Sequence, residues 1–428
     1  MRAIVMPGHN ISNISQHLFL WLAQWCQGNS KQTPAIMSNW SDREWKIAKA
    51  VIIVHGMGPT LGYLLNQQGD HPALPQHIND YLRDQFSENT KRIQMIANAK
   101  QQITDVLSKH NIDYLCFKGL TLAEQLYSHR GMRPMADIDI YTGKHSQTLL
   151  ERALIELDFQ PHVITHEGMT LYPMKWSETN LDEISWAGAS ITVDTSDSIW
   201  YQGESTQLPF AIDVHFSMQQ GIQEFRYDID GMFQQALISG DDLTPEQTYI
   251  HLLLHASKHF RGRCARWIQL YDLHLFPQKL AFDEEKVLAI AKKHQICHLL
   301  LWPLLLTRQT FKSSPSWLEI QLLKHTSWRY QWLFNRHNLT DLSHCNPKDI
   351  SLFYSLLWTQ NVTSIVQWLA LSSQASTTYS KYDNQQLTRS PPMIKRIIAR
   401  IRRHFNINTR QQWQIFAAQG LDPIKDWD

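Results

Sequence analysis

The segments Tyr114-Leu115-Cys116-Phe117-Lys118-Gly119 and Arg133-Pro134-Met135-Ala136-Asp137-Ile138-Asp139-Ile140-Tyr141 decide how this chain is read. The first is an apolar run that meets a Lys-Gly pair. It reads as a strand over 112–117 turning into a helix over 120–129. The second alternates. In a strand over 137–141, side chains two apart share a face, so Asp137 and Asp139 project together while Ile138 and Ile140 enter a core. Two carboxylates about 6–7 Å apart along one face suit a hard cation such as Mg²⁺. Aspartate is disfavoured inside strands, so an alternating pair asks for a reason beyond packing. Lys118 and Gly119 bring a cation and bare backbone to a helix N-terminus, a place that favours phosphate.

Outward from these segments, Phe210-Ala211-Ile212-Asp213-Val214-His215-Phe216 alternates again. Asp213 and His215 share one face; Ile212, Val214 and Phe216 share the other. His215 is placed to touch a substrate or to orient a carboxylate, and equally to be an ordinary satisfied polar residue. Arg133 is placed to pair with the carboxylates, and equally to contact substrate. A helix is expected over 145–157, and hairpins through 169–172 and 190–193. The flanks read as helix. Residues 10–110 carry 3.6-residue periodicity, with a capping box at Ser41-Asp42-Arg43-Glu44 and a helix from about 89 to 110. Gly56-Met57-Gly58-Pro59 follows no strand, so it reads as a break between helices and not as a phosphate loop. Residues 245–428 return to helix.

The order of these motifs resembles the nucleotidyltransferase superfamily, in which a glycine-bearing strand-to-helix turn precedes an Asp-x-Asp strand and a third carboxylate on a later strand. It is more closely similar to a bacterial branch described as uncharacterised nucleotidyltransferase family proteins, with LKGxxLAxxLY, RxxxDIDL, DxHW and HLxxHxxKH motifs in that order. Here these read Phe117 to Tyr127, Arg133 to Ile140, Asp213 to Phe216 and His251 to His259, spanning roughly residues 40–280. Two departures stand out. Lys118-Gly119 replaces the superfamily's Gly-Ser or Gly-Gly turn, and Phe216 replaces Trp. The resemblance implies metal ligation by Asp137, Asp139 and Asp213, with Asp213 also able to accept a proton from an attacking hydroxyl. It implies phosphate contacts from Lys118 and Gly119. The cofactor would be Mg²⁺ or Mn²⁺ and the donor a nucleoside triphosphate, with the acceptor undetermined. Asp272 matches a recurrent acidic position of the branch.

His251, His255 and His259 stand at i, i+4 and i+8 on one helix face. Eight residues rise about 12 Å, so one ion reaches at most two of them. The expectation is therefore a cleft wall made by His255, Lys258 and His259, with packing against the core as the plainer alternative. Residues 393–405 form a basic amphipathic pattern, read first as a docked helix, with membrane or nucleic-acid contact as alternatives.

Composition bounds the rest. In 428 residues, a hydrophobic content of 43% supports a well-buried globular chain of two or three domains. The divisions expected are 1–110 helical, 111–240 a nucleotidyltransferase-like α/β core, and 241–428 helical. The fold class is thus α+β, a small mixed sheet flanked by helices. Net charge of +1 does not indicate a nucleic-acid-coating surface. Five scattered cysteines without a CxxC argue against a disulfide framework or zinc ribbon. No apolar run is long enough to span a bilayer, and a cytoplasmic location is the default. The activity expected is Mg²⁺-dependent nucleotidyl transfer. The rivals are a non-catalytic or toxin–antitoxin-like interaction protein on the same fold, and an RNA-modifying transferase.

Overall fold

The computed structural model describes residues 10–28, 37–164, 168–174, 184–186, 189–191, 206, 210–220, 227–261, 264–343, 345–346 and 421. The basic segment 393–405 lies outside them. Four helices come first: α1 (Ile11–Cys26), α2 (Asp42–His55), α3 (Gly58–Gln68) and α4 (Gln76–Lys109). The Ser41–Glu44 capping box forms in full, and Gly56 ends α2 in the left-handed conformation. Gly56 and Met57 thus act as the expected break, and α3 leaves α2 at 109°. Among the described residues no single helix is long and apolar enough to cross a membrane; only this bent pair, taken together, has the length and composition. α4 begins a good three turns before the expected start, directly after Pro75. Its first turns carry only Ile78 and Leu82 as buried apolar residues, so their periodicity is faint in the sequence.

Then comes the mixed part. β1 (Tyr114–Phe117) leads into α5 (Gly119–Leu126), β2 (Asp137–Thr142), α6 (Gln147–Ile155), β3 (Phe159–Ile164) and β4 (Gly168–Pro173). Two short antiparallel pairs, β5 (Ile184–Trp186) with β6 (Ala189–Ile191) and β8 (Gln219–Gln220) with β9 (Tyr227–Asp228), bracket β7 (Ala211–His215). β3 was not legible as a strand because Pro161 sits in it. As an edge strand it tolerates proline, and its register slips between Pro161 and Val163. The helices that follow are α7 (Asp230–Ser239), α8 (Pro245–Arg261), α9 (Trp267–Lys279), α10 (Glu284–Lys293), α11 (Cys297–Phe311), α12 (Trp317–Lys324), α13 (Trp328–Phe334) and α14 (Leu339–Leu342).

The five-stranded sheet runs β1-β2-β7-β4-β3, with β2 and β7 parallel and every other neighbour antiparallel. The fold is therefore the expected α+β class, a mixed sheet flanked by helices. One face of the sheet is apolar. Ile138, Ile140, Ile212, Val214, Met169 and Leu171 pack there with Ile93, Ile96 and Ile103 of α4 and Leu150 and Leu154 of α6. The other face begins with Leu115, Phe117 and Tyr141. These join a second cluster shared by the N-terminal helices and by α8, α9 and α11. All five cysteines are free thiols.

The loop that delivers the chain into β2 is held on one side by side chains from α3 and α4. Thr60 Oγ1 donates to the Met132 carbonyl (3.0 Å), Asn89 Nδ2 to that of Gly131 (2.7 Å) and Arg92 Nε to that of Met135 (3.2 Å). Asn89 and Arg92 are fully buried, so these carbonyls answer donors that would otherwise be costly. From the other side, Asp272 of α9 takes Arg133 through Nε (3.0 Å) and Nη2 (2.9 Å) and accepts a 2.6 Å hydrogen bond from Tyr127 Oη. Burial, and then the Asp272 charge, hold the Tyr127 phenol well above its usual range, so it stays a donor.

Removing one member of a buried ion pair leaves the other charge uncompensated. Asp272→Ala should cost about 3–5 kcal/mol in urea unfolding. Adding Arg133→Met to that variant should recover part of the loss. An exposed pair would instead give a small change and no recovery.

Candidate active site

The parallel register of β2 and β7 sets Asp139 directly beside Asp213, and Tyr141 beside His215. The antiparallel register of β1 sets Phe117 against Asp139, so Lys118 leaves the strand at that point. Lys118 Nζ then lies 2.8 Å from Asp139 Oδ1. His215 Nε2 is 3.2 Å from the same oxygen and 3.5 Å from Asp213 Oδ2. On the far side, Thr170 of β4 donates to Asp213 Oδ1 at 3.1 Å. Gly168 lets β4 come this close to β7, since a Cβ there would meet the Val214 carbonyl at 2.2 Å.

The turn is strained where it does this. Lys118 has φ +58° and Gly119 φ +25°. A left-handed non-glycine residue costs about 1–3 kcal/mol and persists only where its surroundings fix it. Here the Asp139 contact fixes it, with the Lys118 side chain 13% exposed and that of Asp139 2% exposed. Gly119 opens α5, and its carbonyl lies 3.5 Å from Arg133 Nη1. Arg133 thus turns to Asp272 and the backbone of the turn.

Electrostatics separate the carboxylates. Burial and then the charge of Asp139 push the Asp137 carboxyl up to about 7. Burial acts on Asp139 in the same sense, but Lys118 and His215 outweigh it and hold that carboxyl well below its usual range. Burial opposes the charge on Lys118, yet Asp139 and Asp137 raise its pKa. Asp139 and Lys118 are therefore a fixed charge pair, while Asp137 is poised near neutrality.

Among the described residues, ligand atoms of Asp139, Asp213 and His215 all lie within 4.8 Å of one another. Two carboxylates with one imidazole form a donor set suited to Mg²⁺ or, with its greater tolerance of nitrogen, Mn²⁺. Asp137 lies on the same strand face two residues from Asp139 and is not a member of this group. A cavity beside the turn is lined by Gly119, Leu120, Thr121, Asp137 and Asp139.

The histidines of α8 face the same turn. His251 is buried edge-on against Phe117 (5.2 Å between ring centroids) and Phe233 (5.5 Å). His255 and His259 pair with each other, Nε2 to Nε2 at 3.2 Å, so one ring donates and the other accepts. Burial, with Lys118 adding to it, drives His251 and His255 well below their usual range; burial takes His259 to about 3. Lys258 is exposed. The contributions of Thr170, Tyr127 and His251 were not read from the sequence. Thr170 becomes relevant only through a strand pairing that spans residues 174–210. Asp272 had no role assigned, and its side chain proves to anchor Arg133.

A proton on Asp137 must leave before a cation can use that oxygen. Because the carboxyl is raised from its ordinary 3.8 to about 7, the folded protein carries this proton below about 7 and loses it above. Apparent Mn²⁺ affinity should therefore fall about tenfold per pH unit below that point and level off above it. Calorimetry in two buffers of different protonation enthalpy should show about one proton released per ion on the acid side. An affinity flat across this range would exclude Asp137 from the site.

No curated protein and no solved structure gives a match. A family model described as uncharacterised nucleotidyltransferase matches residues 41–312, more than half of the chain and all of the site above. The chain belongs to this uncharacterised nucleotidyltransferase family.

Proposed function

We propose that this protein transfers a nucleoside monophosphate from a nucleoside triphosphate to a hydroxyl or phosphate acceptor, with Mg²⁺ or Mn²⁺ as the companion ion. The observation that carries the reading is the β2–β7 register, which sets Asp139 and Asp213 side by side next to the Lys118–Gly119 turn. Asp139, Asp213 and His215, with Asp137 adjoining, would hold the cation. Bound there, it would offset the charge that builds on the phosphoryl oxygens. The amides at the start of α5 and the Lys118 ammonium favour the triphosphate. Asp213, with a side chain 37% exposed against 2% for Asp139, is open to an incoming acceptor, and we assign it the acceptor's proton. The neutral histidines of α8 border the turn without adding charge. Free thiols throughout suit a reducing compartment such as the cytoplasm.

Equilibrium dialysis of ATP and GTP with and without Mg²⁺ tests the reading. Metal should tighten nucleotide binding, and Asp139→Asn should abolish that gain, at least about tenfold or 1.4 kcal/mol, while the far-ultraviolet circular dichroism stays unchanged. Pyrophosphate should form only with the unmutated chain. Metal-independent binding, or metal dependence unchanged in Asp139→Asn, would overturn it.

A further inference from the structure

In phosphoryl transfer the attacking and leaving oxygens lie roughly in line through the phosphorus, so the acceptor enters on the side away from the pyrophosphate. The Lys118–Gly119 turn, which favours the phosphates, stands at the β1 side of the carboxylates. Asp139 and Asp213 follow on β2 and β7, the next two strands of the sheet. The acceptor therefore approaches from β7 and its far neighbour, β4.

Alternation identifies what β4 presents there. Thr170 bonds Asp213, so Tyr172, two residues further along the strand, shares its face. The register pairs Thr170 with Asp213 and Leu171 with Ile212, and one step on it sets the half-buried Tyr172 beside Ala211. Asp213 is then its diagonal neighbour, about 7–8 Å away between backbones, a gap that an aromatic side chain spans. Asp137 pairs with Ala211 from the other side. Ala211 carries only a methyl group, so β7 puts no long side chain between Tyr172 and Asp137. The phenol feels both charges. Burial, then Asp213 and Asp137, hold it above its usual range, so it stays an O–H donor.

The neighbouring groups say what such a donor is for. Thr170 already gives its hydrogen to Asp213 Oδ1. Across from Tyr172 on β3 stands the neutral amide of Gln160. An acceptor oxygen seated at Asp213 turns its own hydrogen to that carboxylate and keeps lone pairs that accept. Carboxylates cannot answer those lone pairs, and the Tyr172 phenol can. A phosphate acceptor is already ionised at neutral pH. It would not need Asp213 as a base, and it would add negative charge beside two carboxylates.

We infer that Tyr172 is an acceptor-binding residue, that its phenol donates a hydrogen bond to the attacking oxygen beside Asp213, and that this oxygen is a hydroxyl. The inference rests on the nucleotidyl-transfer reading and narrows its acceptor. In the step itself the hydroxyl oxygen bonds to the α-phosphorus. The bond from that phosphorus to the pyrophosphate breaks, its electron pair leaves with the pyrophosphate, and the hydroxyl proton passes to Asp213. Tyr172 keeps its own proton throughout and holds the oxygen in place.

The test uses the full chain carrying 3-fluorotyrosine, with the Tyr172 fluorine signal identified by its loss in Tyr172→Phe. The probes are glycerol, as a hydroxyl acceptor, and inorganic phosphate, each taken to about 100 mM, beyond the millimolar affinity expected of ligands this small. In the presence of Mg²⁺ and the α,β-methylene analogue of ATP, which cannot release pyrophosphate, glycerol should shift the Tyr172 signal saturably and phosphate should not. With MgATP, glycerol should raise pyrophosphate release, and Tyr172→Phe should lower that response about tenfold, the loss of one well-placed hydrogen bond. Equilibrium dialysis should give the same MgATP affinity for both chains, which separates an acceptor contact from a donor contact. Weaker MgATP binding in Tyr172→Phe, an unchanged response to glycerol, or phosphate accepted in preference to glycerol would each overturn the inference. Metal-dependent MgATP binding with the Tyr172 signal unmoved by glycerol would overturn it and keep the nucleotide reading. Absence of metal-dependent MgATP binding would overturn the nucleotide reading, and the acceptor assignment with it.

Discussion

Two carboxylates cannot share one side of a sheet without a cation to balance them, and the whole centre of this protein is arranged around that constraint. Parallel pairing forces Asp139 next to Asp213, and alternation adds Asp137 to the same face. The resolution is local. Lys118 takes Asp139, His215 bridges Asp139 and Asp213, and Thr170 donates to Asp213. What remains is shared out by proton uptake at Asp137. Each device comes from a different strand or turn, so none works unless the sheet is assembled in this register.

The opposite face explains why the register holds. A slip of one residue would send Ile138, Ile140, Ile212 and Val214 out of the cluster with α4 and α6 and bring the aspartates into it. The hydrophobic layer therefore specifies the position of the charged one. The loop entering β2 is fixed from α3 by Thr60, from α4 by Asn89 and Arg92, and from α9 by the Arg133–Asp272 pair. With that loop held at both ends of its path, the strain at Lys118 has nowhere to relax.

Much of this was legible in the sequence, for stated reasons. Asp137-Ile138-Asp139-Ile140 and Ile212-Asp213-Val214-His215 announce both strands and which side chains share a face, because alternation is a local signal. The Ser41 capping box is equally local, and it forms as written. The parallel adjacency of β2 and β7, which brings the acids together, leaves no local trace, and only the motif order suggested it. Pro161 hid an edge strand, and the sparse apolar residues after Pro75 hid the first turns of α4. His251, His255 and His259 could be placed on one face by spacing. That the first would be clamped between two phenylalanines and the other two paired depended on packing from β1 and α7.

The parallel pair also carries a consequence for how the molecule is made. β2 and β7 are separated in the chain by α6 and the strands β3 to β6, so their pairing is non-local and must wait for everything between them. During synthesis, α4, β1 and β2 can associate while β7 is still unmade. Until residue 215 has emerged, one edge of β2 has no partner strand, and its backbone groups are open to strand addition by any other chain. Asp137 and Asp139 lie on that strand, and charged side chains on an unpaired strand are a general means of discouraging such addition.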